Sequence, residues 1–182
     1  MDGAQQLEEV VPLLTRLIDR ITPEQYDAPT PCTTFTVAGI LEHMVAGATA
    51  YAPVFRGEVT PAGPDLEGDV RVRWRSAMVD LLGAVHADGA QERTVQAPFG
   101  EVPGAVFARF VAFDGLVHGW DLARATGQEY APPEELVAAV DGFARQALAP
   151  QMRDGDTFKD ETEAGEAATP MERLAAFSGR SL

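Results

Sequence analysis

The sequence predicts an all-α protein built as a helical bundle. Apolar residues recur at three- and four-residue spacing through four long segments, the signature of amphipathic helices. Clusters rich in proline and glycine fall between those segments. Only one short stretch, Thr94–Val102, alternates as a strand would. Four long helices with one long connection suggest a bundle, with the remaining segments packed on its end.

The first helix is expected from about Gln5 to Ile21, with Leu7, Val10, Val11, Leu14, Leu17 and Ile18 inward. Pro12 falls inside it and marks a kink or a later start. Thr22-Pro23 and Ala28-Pro29-Thr30-Pro31 form a stiff loop. Thr36 is placed to cap a second helix running to about Phe55, closed by Arg56-Gly57. Thr60–Pro64 reads as loop, and a third helix as about Leu66 to Ala87, stopped by Asp88-Gly89. Thr94–Val102, around Pro98-Phe99-Gly100, reads as a short hairpin or an extended crossover. The fourth helix is Gly104–Ala125, ended by Gly127, and the fifth about Glu134–Leu148 after Pro132-Pro133. Asp154–Ala168 is polar and acidic, hence loop, and Met171–Phe177 forms a short terminal helix.

The chain has 182 residues, enough for one domain, 1–182, with a full core. Its net charge of −14 disfavours nucleic acid or an anionic membrane as partner, because both call for a basic patch. The start, MDGAQQLEEV, is unlike a signal peptide, and no apolar run approaches the ~18 residues that span a bilayer. The single cysteine, Cys32, allows no intramolecular disulfide and fits a reducing cytoplasm. The apolar faces would allow a homodimer without specifying one.

Asp114 and His118 are the most informative residues. They lie four apart on the fourth helix, about 40° from each other around its axis. Phe107, Phe110, Val111, Val117 and Leu122 share their arc, so both groups are expected in the middle of an apolar face. A carboxylate there needs a strong partner, which a divalent metal would supply. His43, on the second helix, has Gly39 and Gly47 four residues to either side, each costing up to about 1 kcal/mol in a helix. Either they clear space beside His43 for an ion or ligand, or they permit tight helix packing. Two imidazoles and one carboxylate bind Zn²⁺, Fe²⁺, Ni²⁺ or Mn²⁺ and leave positions open. Without a metal, Asp114 and His118 would form a buried ion pair.

Asp121, three residues beyond His118, could orient an imidazole from behind or simply pair with Arg124. His86, at the end of the third helix, fits a surface role favoured by the helix dipole. Cys32 reads as a small buried hydrophobe rather than a reactive thiol, and Trp120 as packing.

Thr30-Pro-Cys-Thr-Thr-Phe-Thr-Val, followed by Leu41-Glu-His43, resembles the start of the mycothiol-dependent maleylpyruvate isomerase N-terminal family, within the DinB/YfiT-like superfamily. Asp114-x-x-x-His118-Gly-Trp-Asp-Leu-Ala-Arg-Ala-Thr-Gly127 is similar to its second signature. Leu174-Ala-Ala-Phe-Ser-Gly-Arg180 resembles the ending of an actinobacterial metal-binding subgroup. The resemblance implies an up-down-down-up four-helix bundle, with short additional C-terminal helices here. It also implies a divalent metal held by His43, Asp114 and His118, zinc foremost, with nickel, iron or manganese as alternatives.

The isomerase has Glu where this chain has Asp114, a shorter carboxylate that would pull the metal or alter its coordination. Phe35 stands where Trp is frequent, a change expected to affect packing only. The isomerase carries a further C-terminal domain that the last segment here does not match. The resemblance therefore implies the chemical class rather than that substrate. That class is a metal-dependent enzyme using mycothiol as cosubstrate on a small electrophile, as a transferase or isomerase-like catalyst. A metal-dependent hydrolase with metal-bound water and a non-catalytic metal- or small-ligand-binding bundle are the alternatives. An Fe(II) oxygenase fits the all-helical pattern less well. No general base can be named.

Overall fold

The computed structural model describes residues 1–60, 63, 67–153 and 158–182. Among these residues the fold is mostly helical, with one small antiparallel sheet. Helix α1 spans Gly3–Ile18, α2 Val37–Arg56, α3 Val70–Val85, α4 Gly104–Thr126, α5 Glu134–Ala147 and α6 Pro170–Phe177. Strands β1, Thr94–Ala97, and β2, Gly100–Pro103, form a hairpin turned at Pro98-Phe99. That decides between the hairpin and crossover readings.

Local chemistry sets the boundaries. Asp2 accepts a hydrogen bond from the Gln5 amide, and the Gln5 side chain accepts one from the Asp2 amide, so α1 starts two residues earlier than expected. Pro12 lies inside α1 without ending it. Ile21 lies beyond the helix yet is buried. Thr36 caps α2 as expected, accepting from the Gly39 amide at 3.2 Å. Gly57 and Gly127 close α2 and α4 in the left-handed conformation at φ 75° and 68°.

The expected start of the third helix needs correction. Leu66 and most of the Thr60–Pro64 loop lie outside the described residues, as do residues 154–157 of the acidic loop. Among the described residues the helix begins at Val70, capped by Asp69, whose carboxylate accepts from the Arg71 amide. Gly68 at φ 88° cannot belong to a right-handed helix, which is why the periodic pattern overran the true start.

Helix α1 packs against α4 and α2 against α3, with further contacts between α1 and α3 and between α2 and α4. Helices α5 and α6 pack on each other and on α4. Helix α4 is the central element, burying Phe113, Leu116 and Leu122 completely. No helix among the described residues is long and apolar enough to cross a membrane.

The start of α4 is clamped from outside. Gly104 donates to the Arg93 carbonyl at 2.8 Å and Ala105 to the Gln91 carbonyl at 2.9 Å. A β-carbon at Gly104 would stand 1.9 Å from the Ala90 carbonyl oxygen, a backbone atom that cannot rotate away. Gly104→Ala is therefore expected to destabilise the fold by about 3 kcal/mol, the upper range for overpacking. The urea midpoint would drop accordingly. A midpoint equal to wild type would refute this clamp.

Candidate metal centre

The site is built where α2 and α4 meet beneath the loop before α2. The Thr30 hydroxyl lies 2.9 Å from the Cys32 carbonyl oxygen and 2.8 Å from that of Phe35, which pins the loop. Pro29 and Thr36 close its base with a bridge. Phe35 thereby stacks on the His43 ring at 5.1 Å and meets His118 edge-on at 6.1 Å. The substitution expected to matter only for packing packs directly on both imidazoles.

His43, Asp114 and His118 come together. His43 Nε2 lies 3.3 Å from Asp114 Oδ2, and His118 Nε2 lies 3.4 Å from Asp114 Oδ1. Three donor atoms, one from each residue, lie within 4.8 Å of one another. Donors about 2.1 Å from a tetrahedral zinc would stand about 3.4 Å apart, so the residues fit such an ion. The expectation that Asp114 lies deep in an apolar face needs adjusting. Its side chain and that of His43 each keep 36% of their accessible surface, whereas His118 keeps 4%. The carboxylate stands at the rim of the site and His118 at its floor.

His118 is held from behind. Its Nδ1–H donates to Asp121 Oδ2 at 3.0 Å, which fixes the ring and directs Nε2 toward Asp114. Asp121 is fully buried. Its cation is not Arg124, whose guanidinium lies over the Trp120 ring. The partner is Arg180, beyond α6, with Nη2 at 2.9 Å and Nε at 3.3 Å from the carboxylate. Sequence reasoning missed Arg180 as a member of the site. The signal that could have found it was an aspartate in an otherwise apolar run, which demands a buried cation from somewhere.

Burial alone would lower the His118 pKa, but the Asp114 carboxylate beside it and Asp121 behind it raise it to about 9. Burial would likewise raise the Asp114 carboxyl, and the facing His118 and His43 instead hold it well below the usual range.

Cys32, His118 and Asp121 form a second, buried group with donor atoms within 4.8 Å of one another. Burial pushes the Cys32 thiol up, and Asp121 is already engaged by Arg180 and His118. This group therefore reads as the buried floor of the site, with Asp121 engaged by His118 and Arg180 rather than open to an ion. Cys32 is buried, as expected. His86 sits at the surface end of α3, 3.0 Å from Glu8.

Residues 7–123 match the sequence model of the mycothiol maleylpyruvate isomerase N-terminal domain. Two uncharacterized proteins from two strains of Mycobacterium tuberculosis are each 33% identical to the chain over 184 aligned residues, covering 100% of both partners. No solved structure matches the chain.

Proposed function

Because the chain belongs to the mycothiol maleylpyruvate isomerase N-terminal domain family, we propose that it is a divalent-metal-dependent enzyme using mycothiol on a small electrophile. The observation that carries this reading is the convergence of two imidazoles and one carboxylate at the spacing a single ion requires. In this reading α1–α4 form an up-down-down-up four-helix bundle of the DinB/YfiT type, and residues 1–182 act as one domain. His43, Asp114 and His118 would hold the ion, zinc foremost. A bound divalent cation favours thiolate over thiol at neutral pH, which supplies the nucleophile.

The chain's own residues do the rest. Asp121 holds a proton on His118 Nδ1, so Nε2 is the nitrogen that gives up its proton and binds. Arg180 fixes Asp121. Phe35 covers one side of both imidazoles and keeps water from that side. Asp114 and His43, at the rim, face the direction from which thiol and electrophile arrive.

Metal content by mass spectrometry, on protein purified without chelator or affinity tag, tests the site. About one equivalent is expected in wild type and none in His118→Ala. The loaded protein should then accelerate addition of mycothiol to members of a panel of unsaturated carbonyl compounds. Wild type that takes up neither zinc, nickel nor iron, or loaded protein with no thiol-dependent turnover, would sink the proposal.

A further inference from the structure

Beneath His43 and Asp114 the four long helices enclose a cavity of about 40 Å³. Val11 and Leu14 of α1, Ala48 of α2, Trp74 and Met78 of α3 and Val111 of α4 line it. The Trp74 indole N–H is already engaged, donating to the Thr15 hydroxyl at 3.0 Å. The charged or titratable lining groups are therefore His43 and Asp114 at the exposed end, together with Tyr51. A space of this size exceeds the ~10–15 Å³ that one water needs. Its inner walls offer almost nothing for water to bond, so the inner end is built to stay dry or to take carbon.

Two glycines border this space. Gly47 lies one turn beyond His43, and Gly115 follows Asp114. A β-carbon at Gly47 would meet the Tyr51 ring at 3.2 Å, and one at Gly115 would meet Val10 at 3.1 Å and Leu14 at 3.4 Å. Helix-interior glycine is unfavourable by roughly 1 kcal/mol against alanine. Both positions thus give up helix stability at the wall of a void beside the rim of the candidate metal centre.

We propose that this cavity is the specificity pocket of the site, accepting a short, unbranched apolar tail of about two or three carbons. The polar, reacting end of the same molecule then lies at His43 and Asp114. The size limit follows from volume. A cavity of about 150 Å³ holds benzene, and this one is roughly a quarter of that, so an aromatic ring or branched tail is excluded. The identity of the reacting end rests on the metal-dependent reading above; occupation of the cavity by the tail does not.

Binding of simple alcohols separates the two. Isotope-labelled protein, metal-free and zinc-loaded, would be titrated with methanol, ethanol, n-propanol, n-butanol and tert-butanol while the amide signals of Gly47 and Gly115 are followed. Saturable shifts are expected that tighten about fourfold per added carbon, as burial of one methylene implies. The gain should stop near n-propanol, and tert-butanol should give no saturable shift. Ala48→Val, which fills the space, should weaken n-propanol at least tenfold and leave zinc uptake unchanged. If that variant fails to fold, the wild-type series still decides. Shifts that never saturate, or equal response to n-propanol and tert-butanol, overturn the pocket. Zinc uptake without alcohol selectivity refutes the pocket alone, and alcohol selectivity without zinc uptake refutes the metal reading alone.

Discussion

Zinc binding to the metal-free protein is expected to tighten about a hundredfold between pH 7 and pH 9. His118 titrates at about 9, above its ordinary 6.5, so below pH 9 its ring carries two protons. Binding needs the Nε2 lone pair, and one proton must leave for each ion that enters. Apparent affinity therefore rises tenfold per pH unit up to about 9 and levels off above it. Asp114 contributes nothing to this slope. Its pKa is depressed, so it is already a carboxylate throughout the range. Competition against a chelator of known affinity measures the slope, and calorimetry in two buffers counts the released proton. An affinity that stays flat from pH 7 to pH 9 would show that His118 enters the metal-free state neutral or does not bind the ion.

Arg180→Ala is expected to cost about 3–5 kcal/mol of stability, the usual penalty for stranding one member of a buried ion pair. Arg180 is 5% exposed and Asp121 0%. Without Arg180 the carboxylate keeps His118 as its remaining charged partner among the contacts described. For a chain of this length the melting temperature would fall by about 10 °C. Replacing both partners, as in Asp121→Ala/Arg180→Met, should recover much of that loss because neither member of the Asp121–Arg180 pair is left stranded and His118 keeps Asp114 as its counter-charge. The same double variant should bind zinc about 10–100-fold more weakly, since His118 has lost the carboxylate that orients it. Stability and metal affinity thus move apart in the two variants. A single substitution that leaves the melting temperature unchanged would refute the pairing.

What was legible in the sequence was the part governed by local periodicity. The four-residue step from Asp114 to His118 puts both on one face of α4, and the structure keeps them there at 3.4 Å. Thr36 and Gly57 bracket α2 because capping chemistry acts over one turn. The flanking glycines, and the two-imidazole, one-carboxylate set it completes, singled out His43; the family resemblance pointed to it as well, and the structure brings it within 3.3 Å of Asp114. Arg180 was not legible as a site residue. It lies 59 residues from Asp121, and no helical or strand period relates them. The depth of Asp114 was misjudged for a similar reason. A helical wheel tells which face a residue occupies but not whether a neighbouring helix covers it. The neighbourhood of Cys32 and Phe35 depends on how an irregular loop folds back over α2 and α4, which composition does not specify.

The pairing of α1 with α4 has a kinetic side. Gln128 donates to the Leu17 carbonyl across 111 residues, and Gln25 to that of Thr126 across 101. Helices α2 and α3, by contrast, are neighbours in sequence and pack directly on each other. Closing a loop of about a hundred residues costs about 2 kcal/mol more chain entropy than closing the short connection between α2 and α3, and such long-range contacts slow folding. The apolar stripe of α1 is made first during synthesis, yet its partner arrives about a hundred residues later. His43 also meets Asp114 and His118 only when α4 docks. Assembly of the three donors therefore needs closure across the 71 residues between His43 and Asp114, and an ion held by them would tie that long-range contact together.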